Sequence, residues 1–345
     1  MLARAGWNVT LIEQHRFPRD KVCGECLSAL GIEVLTRLGL HDAIAALWPV
    51  ELTRAAIIAT DGSEAVFTLP RPMWGLSRGA LDVALLRAAA AAGAKILQPA
   101  RCEGLVEQPL SLRIRDLTSN RVATVEPNVV LLADGRAAFG VDHPPPTGDL
   151  GVKAHFTNVA DTDAHRIALF ALAGHYVGLA PIESNRWNLA MSVPAAKVKA
   201  HGGDLDALFA TILGENVALA ARLRGATRVG EWLASPLPRF GVRRRWPANV
   251  IPLGNAAAAI EPIGGEGMGL AMGSAELAAE ELIAADRAAK PWDAATLRRE
   301  MKQLWAARRF GCRAGAVLVS RPAIARVITR VAKPVAPLAL KLVGK

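Results

Sequence analysis

The apolar positions at the start of the chain change period within a few residues. Leu2 and the small residues up to Ala5 read as the last turn of a helix stopped by Gly6, and Val9, Leu11 and Ile12 then form a short buried strand ending in Glu13. That is the second half of a βαβ unit. In dinucleotide folds an acidic residue at this strand end holds a ribose hydroxyl, about 20 residues after a glycine-rich turn. Counting back from Glu13 runs past Met1. The expectation is a unit whose first strand and GxGxxG turn are missing, through truncation or a mis-set start, with an in-frame upstream segment that would supply them.

Further along, residues 28 to 40 follow a helical pattern, and two strands between 53 and 69 meet at Asp61-Gly62. In "WGLSRGALDVALLRAAAAAGAKIL", Leu81, Leu85 and Leu86 with the alanines predict a long helix capped at Gly93, and residues 95 to 97 begin another strand. Two further strand-like runs end in "VVLLADGRAA", a buried parallel-type strand carrying Asp134 and Gly135 at its C-terminal end, where open α/β sheets bind ligands. "HPPPTGD" breaks the pattern. Residues 151 to 193, including "HYVGLAPIE" and "RWNLAMSV", then read as antiparallel strands, and 194 to 224 as helices. "NVIPLGNAAAAIEPIGGEGMGLAMGSAELAAEEL" returns to a strand, a glycine-rich turn and a long small-residue helix.

The predicted fold class is therefore α/β. A Rossmann-like nucleotide-binding domain, its first strand missing, takes residues 1–50, 75–145 and 246–290; an inserted α+β antiparallel-sheet substrate domain takes 51–74 and 146–245. Residues 291–345 form a basic helical tail.

Composition narrows the classes. With 345 residues, 52% hydrophobic and 21% charged, the chain reads as globular. It has no uninterrupted apolar run of about 18 residues and no apolar leader, so a cytoplasmic location is expected. Cys23 and Cys26 form a CxxC, open to three readings: a redox pair, half a zinc site, or small residues in a packed turn, the last favoured for Cys26. No second CxxC or HxxxH completes a zinc site, and no metal is expected.

The net charge of +10 arises entirely after Glu300, where basic residues meet no Asp or Glu. Ser320, Arg321 and Pro322 start a helix, Ile324, Val327, Ile328 and Val331 share one face, and Pro334 stops it. This basic amphipathic helix either packs on the core with solvated arginines or makes peripheral contact with the inner face of a membrane. Basic residues are not interleaved with aromatics there, which counts against nucleic acid.

Glycines before the alanine-rich helix let backbone amides approach an electron-rich or anionic group at a helix N-terminus. Three ordered motifs together are more specific. "PRDKVCGECLS", "LLADGR" and "LGNAAAAIEPIGGEGMG" resemble, in order, signatures of the FAD-dependent oxidoreductases similar to p-hydroxybenzoate hydroxylase, the first that of their geranylgeranyl reductase-like branch. The resemblance extends to about residue 290 and implies that the nucleotide is FAD. Glu13 would bind the adenosine ribose, Asp134 and Gly135 would lie near the pyrophosphate, and Gly254 and Asn255 would meet the ribityl chain. Pro262, Gly264, Gly265, Gly267, Met268 and Gly269 would shape the turn beside the isoalloxazine. Arg19, Lys21, Cys23, Gly24 and Glu25 would approach from the other side, with Cys23 and Glu25 as catalytic candidates, and Arg78 would open a helix near the adenosine end.

Each candidate has a plainer reading beside it. Arg78 can be an ion-pair partner, and Glu266 either a solvated turn residue or an acid–base group. His155 and His175 lack a paired carboxylate at useful spacing and read as structural or solvent-facing. Tyr176, Pro181 and Trp187 read as pocket walls. Asn255 replaces the family's usual Asp and offers no charge, and the tryptophan-rich motif of flavin-dependent halogenases is missing. The implied activity is NAD(P)H-driven reduction of an alkene in a small hydrophobic, isoprenoid- or polyketide-like substrate. The alternatives are a monooxygenase or a flavin-free remnant.

Overall fold

The computed structural model describes residues 1–135, 148–161, 163–238, 240–243 and 245–331. The part of "VVLLADGRAA" beyond Gly135, most of "HPPPTGD", and Lys333, Pro334, Lys341 and Lys345 lie outside the described residues.

Alternating side chains organise an eight-stranded sheet in the order Thr227–Pro236, Asp149–Thr157, Arg186–Pro194, His175–Ile182, Arg166–Leu172, Val50–Ile58, Glu64–Gly75 and Cys26–Leu27. All neighbours are antiparallel except Arg166–Leu172 with Val50–Ile58. On one face Val152, Ala154, Phe156, Val177, Leu179, Trp187 and Leu189 pack against Leu208, Ile212, Leu219 and Leu223 of the helices Leu205–Glu215 and Val217–Leu223. Leu179 and Leu189 are fully buried, each contributing about 1.5–3 kcal/mol of apolar burial. Successive strand residues point to opposite faces, so Lys153, His155, Tyr176, Ala180 and Asn188 face the other way. Tyr176 and Ala180 there meet Ala316, Val319 and Cys26.

The nucleotide-binding half holds two short parallel pairs, Thr10–Ile12 with Lys95–Leu97 and Val250–Pro252 with Val130–Leu132. Ile12, Leu97, Val130, Leu132 and Val250 share one apolar cluster, yet no ladder joins the pairs among the described residues. Residues 3–5 form a single 3-10 turn ended by Gly6 at φ 89°. A three-stranded antiparallel sheet, Ala100–Glu107, Leu110–Asp116 and Val122–Val125, occupies what the sequence read only as strand-like runs.

Two features differ from the sequence reading. Strand Cys26–Leu27 pairs with Glu64–Gly75, which draws the CxxC segment into the large sheet. The described part of the tail holds a long helix, Ala294–Val319, whose Leu297, Met301, Trp305 and Cys312 join the core of the nucleotide-binding half.

Candidate active site

The glycine-rich turn and the CxxC loop, far apart in sequence, meet here. Gly265 has φ 66°, and a Cβ on it would stand 2.8 Å from Met73 Cε and 3.1 Å from Cys26 Cβ. On Gly264 it would stand 2.6 Å from Cys312 Sγ, and on Gly269 2.3 Å from Ser28 Oγ. These three glycines permit close packing. Gly24 and Gly267 differ, because a Cβ on either meets no atom within 4 Å. Gly267 opens the helix Gly267–Arg287, whose N-cap Glu266 makes no side-chain capping bond, leaving amide donors and the positive end of the helix dipole available. Met268 is buried behind it, and Pro262 is exposed at the head of the turn. Gly254 is buried with φ 54° and donates its N–H to Ser274 Oγ at 2.9 Å, while Asn255 points outward among buried neighbours.

The other implied contacts are more dispersed. Glu13 Oε1 accepts the His15 N–H at 2.8 Å, and Asp134 and Gly135 follow Val130–Leu132 in the neighbouring pair. Arg78 donates from Nε and Nη2 to Asp82, both at 2.8 Å, and Lys21 Nζ reaches the same carboxylate at 2.7 Å. Arg78 is thus an ion-pair partner of its own helix. Arg19 Nε is buried and unpartnered. Cys23 is half-buried and Cys26 buried, both as free thiols. Burial pushes the Cys26 thiol well up, so it stays protonated at neutral pH.

Three pocket-wall assignments meet strand parity. Pro181 and Trp187 are cross-strand partners, and Trp187 lies in the helix-covered core. Both therefore face away from the CxxC loop. Tyr176 faces toward the turn, where its Oη donates to Glu261 Oε1 at 3.3 Å. Burial raises the Glu261 carboxyl, opposed by Arg313, whose Nη1 donates to Glu261 Oε2 at 3.0 Å. Glu266 is not solvated. Its side chain is 12% exposed and lies 3.3 Å from Arg308 Nε without hydrogen-bond geometry, and burial raises its carboxyl.

Sequence reading missed the partners of Glu25. This residue is fully buried at φ 55°, a left-handed conformation that costs a non-glycine residue energy. Its carboxylate accepts the Arg78 N–H at 2.9 Å, the Lys153 ammonium, and His155 Nε2 at 2.6 Å. Burial alone would raise the Glu25 carboxyl, but the His155 hydrogen bond and the Lys153 charge outweigh it and hold it below the usual glutamate range. Asp20, Glu25 and His155 gather oxygen and nitrogen atoms within 4.8 Å, yet the Lys153 ammonium occupies the place of a cation among them. Asn188 and Glu183 were also missed: Asn188 Nδ2 donates to Cys23 O at 3.0 Å, and Glu183 accepts the Ser77 N–H at 2.8 Å at the start of the Arg78–Ala91 helix. The only sequence signal was parity, since "VKAHF" places Lys153 and His155 on one face of a strand.

The N-terminus of the helix Gly267–Arg287 fronts an open cradle at Gly267. The family described as "FAD binding domain" matches residues 1–307, and the chain belongs to it. Among curated proteins it is 24% identical over 312 residues to conditioned medium factor receptor 1 of Dictyostelium discoideum, covering 82% of this chain and 60% of that protein. It is 26% identical to menaquinone reductase of Mycolicibacterium smegmatis, covering 81% and 71% of the two chains. The chain thus spans less than two thirds of the length of the first of these relatives. The fold is shared with the flavin-dependent brominase Bmp2, at TM-score 0.80, 17% identity and 99% and 88% coverage. It is also shared with PqsL of Pseudomonas aeruginosa, a probable FAD-dependent monooxygenase, at TM-score 0.74, 22% identity and 96% and 94% coverage.

Proposed function

We propose that this chain is the catalytic portion of an FAD-dependent oxidoreductase of the geranylgeranyl reductase-like branch, which uses NAD(P)H to reduce a carbon–carbon double bond in a hydrophobic, isoprenoid-like substrate. The observation that carries the reading is the meeting of the glycine-rich turn with the segment that directly follows "KVCGE", Gly265 against Cys26 and Gly269 against Ser28. The similarity to a protein named menaquinone reductase supports a lipid-like substrate. When bound, FAD supplies a two-electron carrier between nicotinamide and substrate. The amides after Glu266 stabilise negative charge at the cradle, Asn255 offers polar contacts to the ribityl hydroxyls, and Glu13 and Asp134 serve the adenosine and pyrophosphate portions.

The shared fold keeps monooxygenation as the second reading, because fold alone does not decide chemistry. Anaerobic mixing of the flavin-loaded, NADPH-reduced protein with a prenylated quinone separates them. Reoxidation without oxygen and a saturated product support the reductase. Reoxidation only with oxygen, giving a hydroxylated product, overturns it.

A lipid substrate suits a protein at the inner face of a membrane, and the helix Pro322–Val331 supports that placement. It docks through Ala325 and Thr329 and leaves Val327 and Val331, each 59% exposed, beside Arg326 and Arg330. Its proposed partner is an anionic phospholipid surface. No helix among the described residues is long and apolar enough to cross a membrane.

A further inference from the structure

We propose that the cleft between the strand Gly241–Val242 and the helix Ala294–Val319 is a second nucleotide site, separate from the flavin turn, for a soluble nucleotide carrying two or more phosphate groups. The cleft has a volume of about 540 Å³, a size that encloses small organic ligands. No residue assigned to the flavin turn or to the CxxC loop lines it among the described residues. One side is the two-stranded ladder of Gly241–Val242 with Ala258–Ala259, and the other is the helix. Ala257, Ala258, Met301 and Trp305 make a buried apolar floor, and Trp246 adds a half-buried indole wall.

The rim is cationic. Arg298, Lys302 and Arg309 line the cleft from spacings that share one side of the helix, and all three are exposed. None of them makes an ion pair among the described residues. Two other arginines of the same helix differ, since Arg308 lies 3.3 Å from Glu266 and Arg313 donates to Glu261 at 3.0 Å. Like charges four positions apart repel on a helix, so this row carries a cost that a bound anion removes. Arg298 is also oriented, its Cζ 5.1 Å from the centroid of the Trp246 ring. From the facing strand Arg243 adds a fourth cation. Its N–H donates to Ala257 O at 2.8 Å, and its guanidinium feels the Asp134 carboxylate.

Charge and shape together select the ligand. Guanidinium forks bind phosphate oxygens in pairs, and an apolar floor with an indole and a guanidinium beside it suits the flat face of a base. An anionic lipid shares the phosphate but not the base. At about 1.5 Å of rise per residue, Arg309 and Arg298 stand roughly 15 and 30 Å before the helix end at Val319. The helix proposed to meet a membrane begins only after that end, so the cleft is placed for a ligand from solution. The NAD(P)H donor of the proposed reaction belongs to this ligand class. Which nucleotide fills the cleft rests on that reading, whereas the anion site itself does not.

Calorimetric titration of the full chain with NADP⁺ tests the site, with inorganic pyrophosphate, FAD and an anionic lysophospholipid as comparisons. NADP⁺ is expected to bind more tightly than pyrophosphate, with an affinity that falls as salt rises, and to bind equally with FAD present. Lys302→Glu with Arg309→Glu, both at exposed positions, should weaken NADP⁺ by on the order of 10-fold or more and keep the parent's FAD affinity. Trp246→Leu should remove the advantage of NADP⁺ over pyrophosphate. No binding by the parent, or equal affinity in the parent and the charge variant, overturns the site. Displacement of NADP⁺ by FAD overturns its separateness, and a lysophospholipid that binds more tightly and is weakened by the same variant overturns the nucleotide assignment. Every readout is binding without turnover, so a failure of alkene reduction would sink the reductase reading and leave this result standing.

Discussion

At the scale of single residues, the glycines of the turn divide by what surrounds them. Gly265→Ala forces a left-handed Cβ against Cys26 and Met73 and is expected to destabilise the fold by roughly 1–3 kcal/mol, read from a urea midpoint. Gly267→Ala meets open space, so stability should stay within about 0.5 kcal/mol while FAD affinity falls, because the new methyl group stands in the cradle. Flavin fluorescence titration checks the second half, and unchanged affinity would place the cradle elsewhere. Glu25 adds a pH dependence. Its folded carboxyl lies below the usual value, so its stabilisation is complete above the unfolded glutamate pKa of about 4.3 and is lost as pH falls through the folded value. Between pH 6 and about 3, the parent should therefore lose more stability than Glu25→Gln; parallel curves would show that the carboxylate contributes nothing at neutral pH.

At the scale of elements, the C-terminal helices have separate roles. Ala294–Val319 is structural, with Trp305 2% exposed and Cys312 1% exposed, and burial pushes the Cys312 thiol up to about 12. Cutting the chain after Glu300 would remove core. The membrane hypothesis is better tested on Pro322–Val331, by Val327→Asp with Val331→Asp. The parent should float with anionic vesicles and be released by salt, since each basic residue near such a surface contributes about 1 kcal/mol. Flotation of the double variant equal to the parent would count against this helix as the contact. Helical periodicity marked the Ile324, Val327, Ile328 and Val331 face in the sequence, but small residues were chosen for docking. Ala325 is fully buried and Thr329 nearly so, its Oγ1 2.8 Å from Ser63 Oγ, because close approach to the sheet favours short side chains.

At the scale of the whole molecule, order should be uneven. The eight-stranded sheet carries continuous hydrogen-bonded ladders over a helix-packed core, whereas among the described residues the parallel strands of the nucleotide-binding half form two separate pairs of three residues each, and two-stranded ladders are marginal. Amide exchange should be slowest in the strands Asp149–Thr157, His175–Ile182 and Arg186–Pro194 and fast in Thr10–Ile12 and Val130–Leu132. FAD at a hundredfold its Kd should add about 2.7 kcal/mol and slow exchange in those short pairs first. Protection of the large sheet alone would argue against binding across the nucleotide half.

The sequence by itself determined what depends on neighbours along the chain. Glu13 after its strand, the glycine-rich turn before a long helix, and the alternation through residues 151–193 all follow from local periods of two or 3.6 and from the backbone freedom of glycine, so the α/β class and the cofactor motifs were legible. Tertiary structure decided what depends on distant residues meeting. His155 was read as lacking a carboxylate because its partner, Glu25, lies 130 positions away, and Trp187 was read as a pocket wall because alternation says which residues share a face but not which face is covered by helices. Once Val152, Ala154 and Phe156 pack on those helices, the pleat turns Lys153 and His155 toward Glu25, and burial in a low-dielectric interior makes that encounter an electrostatic commitment rather than a surface contact.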